Sequence, residues 1–208
     1  MFLTTTISDL IQIKPEEFEK SSIQAIKDAI HVKYANKVIQ EVGLCICLRD
    51  ILKSSEGLIG HGTGIVNVNV EFRLVVFRPF KGEIIEGKIS GSNPQGINVQ
   101  LDFFDDIFVP GPVNLFEGVK FNNAESVWVW TTETGDELFF DMEERVRLRV
   151  EAEVWTDLSP QAPLIAGANG SGGENGEGGE GSEERRSPYC VVASMQQAGL
   201  GPTLWWEE

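Results

Sequence analysis

Residues 65–77 alternate through Arg73 before an apolar end. Val66, Val68, Val70, Phe72, Leu74 and Val76 share one parity, and Asn67, Asn69, Glu71 and Arg73 share the other. Successive side chains of a strand point to opposite faces, so this stretch predicts a strand with one dry face and one wet face. A dry face of that length needs a cover, and one helix is available to supply it. Pro15 suits a first helical turn, where its missing N–H costs nothing, and Glu16, Glu17 and Glu19 follow as a helix N-terminus prefers. Phe18, Ser22, Ala25, Ile26, Ala29 and Ile30 then recur at three- and four-residue spacing, which predicts an amphipathic helix to about Tyr34. A short strand is expected at residues 2–7. Another is expected at 38–51, with the apolar run Val42-Gly43-Leu44-Cys45-Ile46-Cys47-Leu48. Strand, helix, strand, strand describes a small α+β unit.

Pro79 and Phe80 mark a boundary, after which the helical period disappears. Segments 83–90, 96–101, 107–109, 126–131, 138–141 and 146–155 are short, β-branched or aromatic, and separated by Gly, Pro and Asn. Short strands at this density predict a small barrel or sandwich. Residues 159–187 are dominated by Gly, Ser, Glu, Ala, Pro and Asn, with little apolar surface to offset ordering entropy. They are expected to form a disordered acidic insert. A last strand is expected at 189–194. The fold class is therefore α+β, with one unit at 1–80 and a β unit at 81–208 that contains the insert.

Charge divides at the same place. Residues 1–80 hold nine basic and nine acidic side chains. Residues 81–208 hold eight and twenty-three, and so carry the whole net charge of −15. Such a half repels a phosphate backbone at long range, so nucleic-acid contact there must be local and weak or assisted by a basic neighbour. No apolar run approaches the roughly 18 residues of a membrane span, and residues 1–6 lack the basic start of a secretory leader. Three cysteines, Cys45, Cys47 and Cys190, suggest a reducing compartment rather than a disulfide framework.

Side chains suited to catalysis are sparse. His31 falls late in the expected helix and His61 in a glycine-rich loop, without Cys, Ser or Asp at triad or zinc spacing. Cys45 and Cys47, two apart, would share one strand face as small buried hydrophobes. Gly60, Gly62 and Gly64 precede a strand rather than a helix, so a phosphate loop is not expected and a flexible tip is. Asp102, Asp105 and Asp106 read as turn residues around Phe103 and Phe104. Trp128 and Trp130 fall on one strand face and suit a core. Trp205 and Trp206 suit either a partner contact or docking on the chain's own barrel.

The run Phe72-Arg73-Leu74-Val75-Val76-Phe77-Arg78-Pro79-Phe80-Lys81-Gly82-Glu83-Ile84-Ile85-Glu86-Gly87-Lys88-Ile89 resembles the domain junction of the larger stalk subunits of archaeal and eukaryotic RNA polymerases. The run 42–48 with Asp50, Leu101-Asp102-Phe103-Phe104-Asp105-Asp106-Ile107, and Val127-Trp128-Val129-Trp130 narrow the resemblance to the polymerase III member. Gly199-Leu200-Gly201 with Trp205-Trp206 also fits. The resemblance implies an N-terminal tip domain followed by an OB fold, no active site, no cofactor and a nuclear location. It implies pairing with a smaller stalk subunit and docking on the large core subunits in support of initiation, with initiation factors and nascent single-stranded RNA as further contacts. By position, the docking loop is Gly57, Leu58, Ile59, Gly60, His61, Gly62, Thr63 and Gly64. OB folds of this type stack bases on aromatics around the second strand, whereas residues 94–101 carry polar residues where such aromatics would be expected. Lys88, Phe103, Phe104 and Lys120 are the candidates for RNA contact. A free-standing single-stranded RNA-binding module is the competing expectation.

Overall fold

The computed structural model describes residues 1–132, 134–158 and 187–206. The N-terminal sheet consists of β1 (Phe2–Ile13), β2 (Val38–Ile39), β3 (Gly43–Ser54), β4 (Leu58–Ile59) and β5 (Val66–Phe77). Its spatial order is β1-β5-β3-β2, and β4 also pairs with β5. As the alternation requires, Val68, Val70, Phe72, Leu74 and Val76 are buried. They pack under α1 (Ser22–Tyr34), which contributes Ala25, Ile26 and Ile30.

Three boundaries differ from expectation. β1 runs six residues beyond Ile7. Asp9 interrupts its apolar pattern, but its carboxylate accepts hydrogen bonds from Lys33 and Tyr34, both at 2.5 Å, across the gap to α1. Pro15–Glu17 forms only a 3-10 turn. The helix starts later, where the Ser21 hydroxyl accepts from the Gln24 N–H, so Phe18 lies outside the helix and is exposed. The expected strand 38–51 is two strands. Glu41 and Gly43 adopt positive φ between them, and a Cβ at Gly43 would stand 2.6 Å from the Phe77 carbonyl oxygen.

The second unit contains β6 (Ile84–Asn93), β7 (Gly96–Leu101), β8 (Phe104–Pro110), a single helical turn α2 (Gly111–Asn114), β9 (Val119–Asn122), β10 (Val127–Thr131), β11 (Glu137–Phe139), β12 (Arg145–Trp155), β13 (Tyr189–Ser194) and β14 (Gly201–Pro202). The order β13-β8-β7-β6-β12, closed by pairing of β12 with β13, makes a five-stranded barrel. β13 runs parallel to β8, while its other pairings and those of the remaining strands are antiparallel. β14 follows the strand expected to be last and adds to β12 at Val146 and Arg147. Residues 159–186, most of the expected insert, lie outside the described residues, as do 133, 207 and 208.

β9, β10 and β11 form a separate three-stranded sheet inserted between the third and fourth barrel strands. Trp128 anchors it: the ring is 5% exposed, and its Nε1–H donates to the Asn93 carbonyl at 3.0 Å. Gly111 is required here, because any Cβ would overlap the Trp128 ring. Trp205 packs against Phe116, Trp130 and Phe140, at centroid distances of 6.2, 5.6 and 4.8 Å. Trp206 stays partly exposed and donates to the Leu200 carbonyl at 2.8 Å.

Candidate functional site

Residues 57–64 form an ordered hairpin tip rather than a plain loop. Leu58 and Ile59 pair with Asn67 and Val66, and the Gly60 N–H donates to the Ile65 carbonyl at 2.8 Å. Gly62 and Gly64 take positive φ, which brings the chain around. Leu58 and Ile59 are each 72% exposed, and His61 is exposed beside them. A two-residue strand flanked by glycines has too short a period to be visible in sequence. A groove of about 400 Å³ adjoins the tip, lined in part by Phe18, Ile23, Gly57 and Val66.

The four RNA candidates do not converge. Phe104 is 5% exposed and contacts Phe77 and Tyr189, so it offers no free ring face and is withdrawn as a base-stacking residue. Phe103 lies in the β7–β8 turn against Phe2 and Phe77, with one side open. Lys88 is exposed on β6 opposite Gln100 and Arg145, and Lys120 is exposed on β9 of the inserted sheet.

The barrel's own concave surface lies elsewhere. A groove of about 750 Å³ is lined by Asn93, Gln95, Asn98, Asp105, Asp106 and Phe108, among others. Asp105 and Asp106 belong to β8, not to a turn. Asp106 accepts a hydrogen bond from the Ser187 hydroxyl at 2.7 Å. Two carboxylates and neutral amides give this surface no positive charge to attract phosphate.

The cysteines do not share a face. β3 carries an extra residue relative to β5 between Cys45 and Cys47, so the alternation slips there; Cys45 is buried and Cys47 exposed. Burial pushes both the Cys45 and Cys190 thiols up from their ordinary range, and Asp106 adds to the effect at Cys190. That suppresses thiolate formation at both. His31 is exposed. Among the described residues no group of three His, Cys, Asp or Glu is placed to hold a metal ion, and no helix is long and apolar enough to cross a membrane.

A junction cluster escaped sequence reasoning. Arg78 donates to the Glu153 carboxylate through Nε, at 3.1 Å to each oxygen, and through Nη2 at 3.0 Å, and it also donates to the Glu41 carbonyl. Tyr189 donates to the same carboxylate at 3.1 Å, and its ring stacks on Trp155 at 4.2 Å. Burial first, then the nearby Glu153 charge and the hydrogen bond to it, push the Tyr189 hydroxyl above its usual range and keep it a donor. Phe77, wholly buried at the end of β5, belongs to the barrel's core and meets the rings of Phe2, Phe103 and Phe104. Arg78 and Glu153 are 75 residues apart, and the only sequence signal was Arg78 within the junction run. Beside this cluster a groove of about 420 Å³ is lined by Leu3, Phe80 and Ala152 along with Arg78 and Glu153.

A helix-covered α+β sheet is thus joined through Phe77 to a five-stranded OB-type barrel. The description "SHS2 domain found in N terminus of Rpb7p/Rpc25p/MJ0397" matches residues 8–64, and "RNA polymerase III subunit Rpc25" matches residues 83–206. The chain belongs to this RNA polymerase III subunit family. It is 42% identical to DNA-directed RNA polymerase III subunit rpc8 of Schizosaccharomyces pombe and 40% identical to RPC8 of Saccharomyces cerevisiae, with all of each chain covered. It is 40% identical to RPC8 of Bos taurus, over 99% of this chain and 98% of the other.

Proposed function

We propose that the chain is the larger stalk subunit of a nuclear RNA polymerase III, that it pairs with the smaller stalk subunit, and that it docks the pair on the core through residues 57–64. The observation that carries this reading is the placement of exposed apolar surface. Leu58 and Ile59 project at the hairpin tip. At the junction, Phe80 and Ile84 are 63% and 62% exposed beside a groove that draws on both units. Exposed apolar side chains at the tip and at the junction suit protein partners. The carboxylates of the barrel surface oppose a tight, autonomous grip on RNA, so nascent RNA is a weak secondary contact and initiation is supported through protein contacts.

Co-expression with the smaller stalk subunit followed by gel filtration tests the pairing. One coeluting complex is expected, and elution as two separate folded proteins would refute it. Fluorescence anisotropy with single-stranded RNA at several salt concentrations tests the competing reading: tight binding with a steep salt slope would favour a free-standing RNA-binding module.

A further inference from the structure

The acidic half of the chain keeps its cations together. Residues 81–208 hold eight basic side chains, and four of them, Lys88, Arg145, Arg147 and Arg149, stand on one stretch of the β6–β12 ladder. The register there is Lys88↔Arg145, Glu86↔Arg147 and Ile84↔Arg149. Residues in register on an antiparallel pair share a face, and every second rung returns to it. Ile85, Val146 and Leu148, between these rungs, are buried in the barrel, so the six alternate residues point outside.

Two of the four cations are neutralised where they stand. Arg147 donates to the Glu86 carboxylate at 2.7 Å, and Arg149 to that of Glu151 at 2.8 Å. Lys88 and Arg145 are not. They face each other directly, both exposed, and among the described residues neither has an ion pair or a side-chain hydrogen bond. Like charges set directly opposite destabilise a sheet. Glu86, two residues away on the same face of β6, is already taken up by Arg147. The other end of the ladder is apolar. Ile84 is 62% exposed, and Val150 and Glu151, next along β12, line the junction groove. From Ile84 to Lys88 the strand advances about 13 Å.

This combination selects the occupant. A nucleic-acid strand carries a phosphate at every nucleotide, and beyond the two cations it would run over Glu86 and Glu143 in a half of net charge −15. This stretch of the ladder also offers no aromatic ring to a base. A polypeptide can set a carboxylate on the pair and continue with apolar side chains over Ile84. A second copy would bring a further −15 on the very unit that carries the site. The chain's own acidic residues 174–184 join the barrel at the far end of β12, where Trp155 is about 33 Å from Arg145. Glu180, Glu183 and Glu184 are too few residues from Ser187 to return that far, and Glu174 and Glu177 would need a stretched tether. We propose that the partner covering the junction continues along this ladder, with an apolar side chain on Ile84 and a carboxylate between Lys88 and Arg145. The inference rests on the pairing given above, which makes that partner the smaller stalk subunit.

The co-expressed pair is treated with a carbodiimide, which couples an amine to a carboxylate in contact with it, and the products are mapped by mass spectrometry. Lys88 should be joined to an Asp or Glu of the smaller subunit. The Lys88→Gln/Arg145→Gln double variant should bind that subunit at least about tenfold more weakly at low salt, with the difference shrinking as salt rises. Ile84→Ala should weaken the pair with little salt dependence. The isolated double variant should melt no lower than the unaltered chain, because the facing charges are gone. A lower Tm would show that the two cations serve the fold and would overturn the inference. Pairing with unchanged affinity and no Lys88 cross-link to the smaller subunit would overturn it while leaving the proposed function standing. Absence of any pairing by the unaltered chain would refute the proposed function, and the inference would fall with it. A Lys88 cross-link to a second, isotope-labelled copy or to residues 159–186 would name a different occupant. Loss of single-stranded RNA binding by the double variant with the pair intact would assign the cations to nucleic acid. Each of these last results would overturn the inference.

Discussion

Truncation of Phe77 to alanine tests whether the two units share one core. The ring is wholly buried and meets Phe2 at 5.9 Å and Phe103 and Phe104 at 5.1 Å. Buried Phe→Ala changes cost about 3–5 kcal/mol, and each favourable ring pair contributes about 0.5–1.5 kcal/mol beyond area. Phe2 and Phe103 are half-exposed and can settle into part of the space, which places the expected loss near the lower end, about 3 kcal/mol. All five tryptophans lie at or after residue 128, so tryptophan fluorescence reports on the second unit. Leu74→Ala is the companion variant, because Leu74 is buried in the N-terminal cluster and touches no tryptophan-bearing element. In urea, with a slope of about 2–3 kcal/mol per molar, Phe77→Ala should lower the fluorescence midpoint by roughly 1 M, together with the circular dichroism midpoint. Leu74→Ala should lower the same fluorescence transition. A fluorescence midpoint unmoved by either variant would show that the units unfold separately and that the seam does not join them.

Gly111→Ala should destabilise by about 1–3 kcal/mol, because the Trp128 ring must shift to admit a methyl group; denaturant titration checks it, and an unchanged midpoint would refute the close packing. Glu144 has a buried, unpartnered Oε2, and burial raises its carboxyl above the ordinary glutamate range despite an opposing backbone hydrogen bond from Asp141. The folded state then binds this proton more tightly than the unfolded chain does, so stability falls as pH rises from the unfolded value through the folded one. Glu144→Gln should accordingly raise Tm near neutral pH, with the gain vanishing in acid; a lower neutral Tm would contradict this. Deleting residues 165–184 should leave Tm within about 2 °C, because shortening a loop changes closure entropy only slowly and the removed sequence offers little apolar surface. A larger fall by calorimetry would show that the segment packs.

Much of the fold was legible wherever one periodicity ruled. The alternation through β5, the strands at 96–101 and 189–194, and the end of α1 at Tyr34 all followed from local pattern. Errors arose where a distant group decides a local state. Asp9 remains in a strand because Lys33 and Tyr34 hold its carboxylate. Pro15 and three glutamates signalled a helix start, yet the Ser21 cap six residues later sets the α-helix. Cys45 and Cys47 separated because a bulge shifts β3 against β5, and nothing in the run 42–48 encodes which residue becomes the extra one. The exposed tip hairpin could be placed by position between two strands. Phe104 could not be told from Phe103, since the point where the turn ends and β8 begins is not visible in the run 101–107, and the burial of Phe104 depends on Tyr189, 85 residues on.

The junction determines how force and position pass along the molecule. A lone surface ion pair contributes little, but Glu153 accepts from Arg78 and Tyr189 together, and Arg78 also binds the Glu41 carbonyl on the N-terminal side. The cluster thus ties the β2–β3 turn, the end of β5, β12 and β13 to one another, and the Phe77 seam lies beneath it. A hinge would require these polar partners to separate and the buried ring to meet water at the same time, and both costs act in the same direction. The tip hairpin and the barrel are therefore held at a defined angle. Partners held at the tip hairpin and at the junction would feel each other's position through a stiff connection rather than a flexible linker.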